Sequence, residues 1–151
     1  MNVETLLKSR TLGQKVSHFT AEVSPSYFVK GNKFDRQKAI ENFPHGIGGM
    51  MVPIDLTPAE IGEWTKEMRE CFKELSPVPP ILMCESLHGI LGKGTTVYPQ
   101  SIGMGATFDP ELMYKIGEAI GREAKALGIR MSLAPDLDLG REPRWGRIEE
   151  T

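Results

Sequence analysis

Between residues 136 and 150 the chain reads DLDLGREPRWGRIEE, which sets Asp136, Asp138, Glu142, Glu149 and Glu150 among Arg141, Arg144 and Arg147, beside Trp145. Side chains of these types can grip vicinal hydroxyls. A carboxylate accepts two hydrogen bonds, a guanidinium offers donors in a fixed fork, and charge strengthens both. Paired carboxyl groups could also divide nucleophilic and acid/base roles between them. The same run of charge is equally readable as a solvated, salt-bridged loop, in which Asp138 and Arg141 could pair. A second candidate cluster, Glu85 and His88, falls within CESLHGI at residues 84–90. His18 and His45 stand alone, with no second ligand at metal spacing, and read as structural or surface residues.

The elements that must carry these side chains follow from apolar periodicity. Residues 1–45 read as an irregular lead-in with helical pieces; Asp35 could cap a short helix over residues 36–43, after a Lys-Gly-Asn loop signal. GIGGMMVPI at residues 46–54 is a buried strand. Thr57-Pro58-Ala59-Glu60 then has the layout of a capping box with proline at the first helical position. Ile61, Trp64, Met68, Cys71, Phe72 and Leu75 form one helical stripe, which makes Trp64 a core residue rather than a sugar platform. Residues 76–80, Ser-Pro-Val-Pro-Pro, end that helix, and residues 81–84 supply a second strand. A glycine-rich connection over residues 85–108 is long enough to be functional. Asp109 and Pro110 open another helix, with Leu112, Ile116, Ala119, Ile120, Ala124 and Leu127 on its inner face and Gly128 as its stop. Residues 131–135 are short and apolar enough for a third buried parallel strand.

Strand, helix, strand, long loop, helix and strand give two right-handed crossovers and a parallel sheet in one α/β domain. An open dinucleotide-binding sheet would need glycines directly after the first strand, where Pro53-Ile54-Asp55-Leu56-Thr57 has none. Gly103 and Gly105 precede a helix but lack the third glycine and the preceding strand of a phosphate loop. An unrelated phosphate-binding α/β enzyme is therefore the weakest reading, and the first part of a (β/α)8 barrel the preferred one. In a barrel, Glu85 at the end of the second strand and Arg147 in the loop after the third can point into one mouth.

Bulk properties remove other classes. With 151 residues, 40% hydrophobic and 25% charged, the chain can bury a real core. A formal charge of -2 and a pI of about 5.9 give no electrostatic reason to expect nucleic acid or an anionic membrane as partner. Cys71 and Cys84 read as two buried thiols. No run is long and apolar enough for a membrane span and the first ten residues lack the pattern of a secretory signal, so a cytoplasmic location is the expectation.

Three stretches, LAPDLDLGREPRWGRIEET at residues 133–151, CESLHGI at 84–90 and YPQSIGMGATFDPEL at 98–112, resemble glycoside hydrolase family 3, the β-glucosidase and β-xylosidase family; TLGQKVSHF at 11–19 is similar to its opening helix. The resemblance implies part of the amino-terminal (β/α)8 domain, without metal or organic cofactor, acting on a β-glucoside or β-xyloside. It implies that Glu85 and Arg147 hold the sugar at the non-reducing end, with Glu150 supporting Arg147. His88 could orient Glu85, and Asp138 is a further supporting residue. It also implies that the catalytic nucleophile is an aspartate on a later strand, leaving residues 1–151 without one. Many β-glucosidases carry aspartate where Glu85 stands; the longer side chain crowds the space of a hydroxymethyl group and tilts the expected substrate towards β-xylosides. The alternative is a non-catalytic carbohydrate-binding or assembly fragment. Three strands do not close a barrel, so self-association through open edges is expected of the isolated chain.

Overall fold

The computed structural model describes residues 2–151, Tyr27 by its backbone alone. Its core is organised by helix α4 (Pro58–Leu75). The expected capping box is formed: the Thr57 hydroxyl accepts from the Glu60 N–H, while the Glu60 carboxylate accepts from the Thr57 N–H at 2.8 Å and hydroxyl at 2.7 Å. Ile61, Trp64, Met68, Cys71 and Phe72 make a fully buried stripe, with Leu75 at its margin. The indole N–H of Trp64 donates to the Phe28 carbonyl at 3.3 Å, and Phe34 meets the ring edge-on with centroids 5.4 Å apart. Trp64 is thus core, and both cysteines are free buried thiols.

In chain order the remaining elements are α1 (Val3–Lys8), α2 (Leu12–Ser17), β1 (Ala21–Glu22), a 3-10 turn (Pro25–Phe28), a small antiparallel hairpin of β2 (Val29–Lys30) and β3 (Lys33–Phe34), α3 (Arg36–Asn42), β4 (Gly49–Met51), β5 (Ile81–Cys84), α5 (Ser101–Gly105), α6 (Pro110–Ala126), β6 (Met131–Ser132) and a 3-10 turn (Ile148–Glu150). The main sheet has the order β1-β4-β5-β6 and is parallel throughout, with Ala21 opposite Gly49, Met50 opposite Leu82 and Met83 opposite Met131. Consecutive neighbours in this order, joined by helices, are the pattern of a barrel wall.

Three expectations are corrected. The sheet has four strands rather than three, because Ala21–Glu22 in the lead-in pairs with β4; two residues carry no periodicity by which to find them. The last strand is not buried: Met131 is 39% exposed and Leu133 38%, since β6 is the outermost strand and nothing among the described residues pairs with its other side. Of the six residues expected on the inner face of α6, only Ala124 and Leu127 are buried; Leu112, nearer the amino end, is 39% exposed. The caps were legible: Asp109 accepts from the Leu112 N–H at 2.9 Å, and Gly128, at φ +81°, turns the chain back into the sheet as only glycine does readily. The first strand is shorter than its apolar run, yet backbone bonds from Gly48 to Thr20 and from Val52 to Met83 extend its pairing to both sides.

Candidate functional site

The parallel strands deliver their carboxyl ends to one rim. Glu85 follows β5 directly, half-buried, with its carbonyl accepting from the Leu91 N–H at 3.0 Å. The chain then makes a tight turn through His88 and Gly89, runs out, and comes back so that the Tyr98 N–H donates to the His88 carbonyl at 2.7 Å. Beyond β6 the chain crosses the rim, passes the cis Ala134–Pro135 bond, and ends in the turn that bears Arg147 and Glu150. Glu85, Leu87, His88, Ile90, Leu91 and Val97 line a half-open cleft of about 260 Å³ together with Arg147 and Glu150. Two motifs separated by some sixty positions therefore meet around one space.

Within it, Arg147 and Glu150 form a bidentate pair: Nε donates to Oε1 at 2.7 Å and Nη2 to Oε2. The pair holds the guanidinium above its ordinary pKa and the Glu150 carboxyl below the usual range. The carboxylates of Asp136 and Glu85 add to the field on Arg147. Arg147 is 63% exposed and Glu150 21%, so the carboxylate is the more deeply seated partner, and both side chains border the cleft. Glu85 makes no side-chain hydrogen bond among the described residues, which leaves both its oxygens available to a ligand. The ring of His88 lines the same cleft without a hydrogen bond to Glu85, so an orienting role through such a bond is not observed.

Asp138 is placed differently from the expectation. It does not line the cleft and does not pair with Arg141; it lies exposed against Asp136, whose carboxylate accepts from the Asp138 N–H at 3.2 Å. The neighbouring Asp136 carboxyl group raises the pKa of Asp138. Arg144 turns away from the cleft to make a bidentate pair with Glu142, whose carboxyl is held down to about 2. His18 serves structure: its ring lies between the Gln14 carbonyl at 2.9 Å and the Ser76 hydroxyl at 3.2 Å. No group of three or more His, Cys, Asp or Glu among the described residues is arranged to hold a metal ion.

Residues 12–151 match the family described as glycosyl hydrolase family 3, N-terminal domain. The chain belongs to glycosyl hydrolase family 3. A β-xylosidase of Formosa agariphila is 38% identical over 80 residues, 49% of this chain and 11% of that protein. Among solved structures, a β-glucosidase of Erythrobacter marinus superimposes with a TM-score of 0.85 at 26% identity, covering 97% of this chain and 20% of the other. An exo-1,3/1,4-β-glucanase of a Pseudoalteromonas species gives 0.79 at 25% identity, covering 98% and 19%. The chain spans about one fifth or less of the length of the relatives it matches.

Family membership bears out the reading of an α/β fold that is part of a barrel. The site itself also contains residues that motif reading passed over. Leu87, Ile90, Leu91 and Val97 give the cleft an apolar wall, and Asp136 stands near Arg147. The only signal for that wall was the length of the glycine-rich connection, which marked the loop without indicating which side chains turn inward.

Proposed function

We propose that this chain forms the sugar-holding part of a retaining, exo-acting β-glycosidase, in which Glu85 and Arg147 bind the sugar at the non-reducing end and Glu150 holds Arg147. The observation that carries the reading is the meeting of an unpartnered carboxylate and a braced guanidinium at the carboxyl rim of a parallel sheet, in one cleft. At about 260 Å³ the cleft is below the ~300 Å³ lower end of ordinary ligand sites. In this reading the cleft is one part of a site that takes a β-glucoside or β-xyloside. The names of the β-xylosidase and β-glucosidase relatives point to the same substrates, and the reach of Glu85 favours xylosides.

Asp136 and Asp138 do not serve as the catalytic pair in this reading. Retaining glycosidases place their two carboxyl groups to flank the anomeric carbon, whereas Asp136 and Asp138 are not among the residues that line the cleft, and the Asp136 carboxylate is engaged by the Asp138 N–H. The nucleophile and acid/base are then supplied by sequence beyond these residues. Hydrolysis by double displacement begins with attack of that nucleophile on the anomeric carbon and departure of the protonated leaving group, and water afterwards releases the sugar. Residues 1–151 keep the glycone oriented and contribute charge-assisted hydrogen bonds.

The test has two parts. Residues 1–151 should bind methyl β-xyloside, followed by saturation-transfer or chemical-shift NMR, without hydrolysing an aryl β-xyloside. Arg147→Lys, which keeps the charge and loses the fork, should weaken that binding, and within a completed enzyme should lower kcat/KM by more than about tenfold. Turnover by the 151-residue chain at about 1–1000 s⁻¹ would place the catalytic carboxylates within it and overturn the proposed division of labour. Undiminished affinity in Arg147→Lys would remove that residue from the site.

A further inference from the structure

The wall of the cleft is held by a residue outside both site motifs. After the turn at Gly89 the chain returns along residues 95–98, and Val97 in this arm lines the cleft together with Arg147 and Glu150. Gly89 has φ +114°, and a Cβ placed there would lie 2.1 Å from the Thr96 carbonyl oxygen. The arm therefore passes against the bare backbone of the turn that follows Glu85, closer than any side chain allows. On its outer side the arm meets α6. The Glu123 carboxylate accepts from the Thr96 N–H at 3.2 Å (Oε1) and 3.3 Å (Oε2), and from the Thr96 hydroxyl at 3.3 Å. Further along, the Thr95 hydroxyl donates to the carbonyls of Ile90 at 2.6 Å and Gly92 at 2.7 Å, which closes the base of the loop but leaves Thr96 to α6 alone.

We propose that Glu123 is a positioning residue for this site: its carboxylate clamps Thr96 against Gly89 and so sets the position of Val97 and of the turn bearing His88. The proposal rests on the sugar-site reading above and adds a part of the domain that the motifs leave out. A carboxylate suits the task because it accepts from a backbone N–H and a hydroxyl at once. The side chain projects from the last turn of a 17-residue helix, beside Ala124, which is buried in the core, and so supports a loop whose own bonds are local. Without the clamp the arm keeps its tie at Tyr98 but gains freedom at Thr96, and the apolar wall recedes from the sugar.

The experiment compares residues 1–151 with Glu123→Ala, Glu123→Gln and Thr96→Val, reading amide hydrogen exchange at Thr96 and affinity for methyl β-xyloside. Alanine is the best helix former, so α6 is not weakened by its introduction. Loss of the bonds should speed Thr96 exchange and weaken xyloside affinity in Glu123→Ala by about three- to tenfold each, with the melting temperature little changed. Glutamine keeps the reach and one acceptor oxygen and should restore most of both. Thr96→Val keeps the N–H bond and should fall between. Unchanged exchange in Glu123→Ala would show that there is no clamp. Faster exchange with undiminished affinity would show that the clamp does not serve the site. Failure of the wild-type chain to bind the xyloside would sink the sugar reading, and the clamp's role in it, while the exchange data alone still report whether Glu123 holds the arm.

Discussion

Arg144 and Arg147 each take a carboxylate in the same bidentate fashion, yet they have opposite consequences. Arg144 bonds Glu142 two residues back and is 87% exposed, so the pair shapes the loop and faces solvent, where such a pair contributes little. Arg147 bonds Glu150 ahead of it, with Glu85 and Asp136 close enough to act on its charge. A guanidinium braced on one side by a carboxylate loses less freedom when it binds hydroxyls on the other. Glu85 is the counterpart that has no brace and makes no bond of its own. Its length should decide sugar choice: Glu85→Asp withdraws the carboxylate by one methylene and opens space for a hydroxymethyl group. The expected outcome is a shift in the preference between methyl β-glucoside and methyl β-xyloside towards the glucoside, by up to about tenfold. A preference that is unchanged, or that moves towards the xyloside, would discard the steric argument and leave the family assignment untouched.

At the scale of elements, α4 and α6 divide the work. Helix α4 seals the core, with its buried stripe lying under β4 and β5, and its start is fixed by the reciprocal bonds of Thr57 and Glu60. Thr57→Ala removes the hydroxyl that caps Glu60 and should lower unfolding stability by about 1 kcal/mol, checked by urea denaturation, with the Glu85–Arg147 cleft intact. A loss close to zero would mean that water replaces the cap at no cost. Helix α6 has a smaller share of the core: Ala124 and the capping Leu127 join the buried cluster, and Gly128 returns the chain to the sheet, where the Arg130 N–H donates to the Leu82 carbonyl. Its last turn also carries Glu123 to the loop that follows β5. The strands are short because each needs only to place its carboxyl end at the rim; the long connections that follow them form the site.

For the whole molecule the decisive feature is an open sheet. Among the described residues nothing pairs with the outer sides of β1 and β6, and the amino half of α6 leaves Leu112 and Tyr114 exposed. Exposed apolar side chains beside a free strand edge are the setting for edge-to-edge association. Residues 1–151 on their own should therefore self-associate, seen as a sedimentation coefficient that rises with concentration. Met131→Lys, a charge on the outermost strand, should reduce the effect. A monomer that persists at high concentration would mean that the edge is protected by the chain itself. Among the described residues no helix is long and apolar enough to cross a membrane.

Much of this was written locally. The Thr57–Glu60 box, the Asp109 cap, the Gly128 stop and the α4 stripe each depend on residues a few positions apart, whose bonds form wherever the helix forms; they were legible in the sequence together with β5 and the two site motifs. The pairing of Ala21–Glu22 with β4 was not, since two residues have no period and become a strand only when a parallel neighbour supplies hydrogen bonds. The same holds for the site. Sequence and resemblance pointed to Glu85, Arg147 and Glu150, but Asp138 went to Asp136 rather than to Arg141, because the path of the loop decides which of several nearby charges comes within reach. Glu123 lies 27 positions from Thr96 on a helix whose pattern reports only an outward-facing carboxylate. Its role exists only after the crossover has folded back over the sheet, and contacts of that range are set by tertiary packing, which no local spacing records.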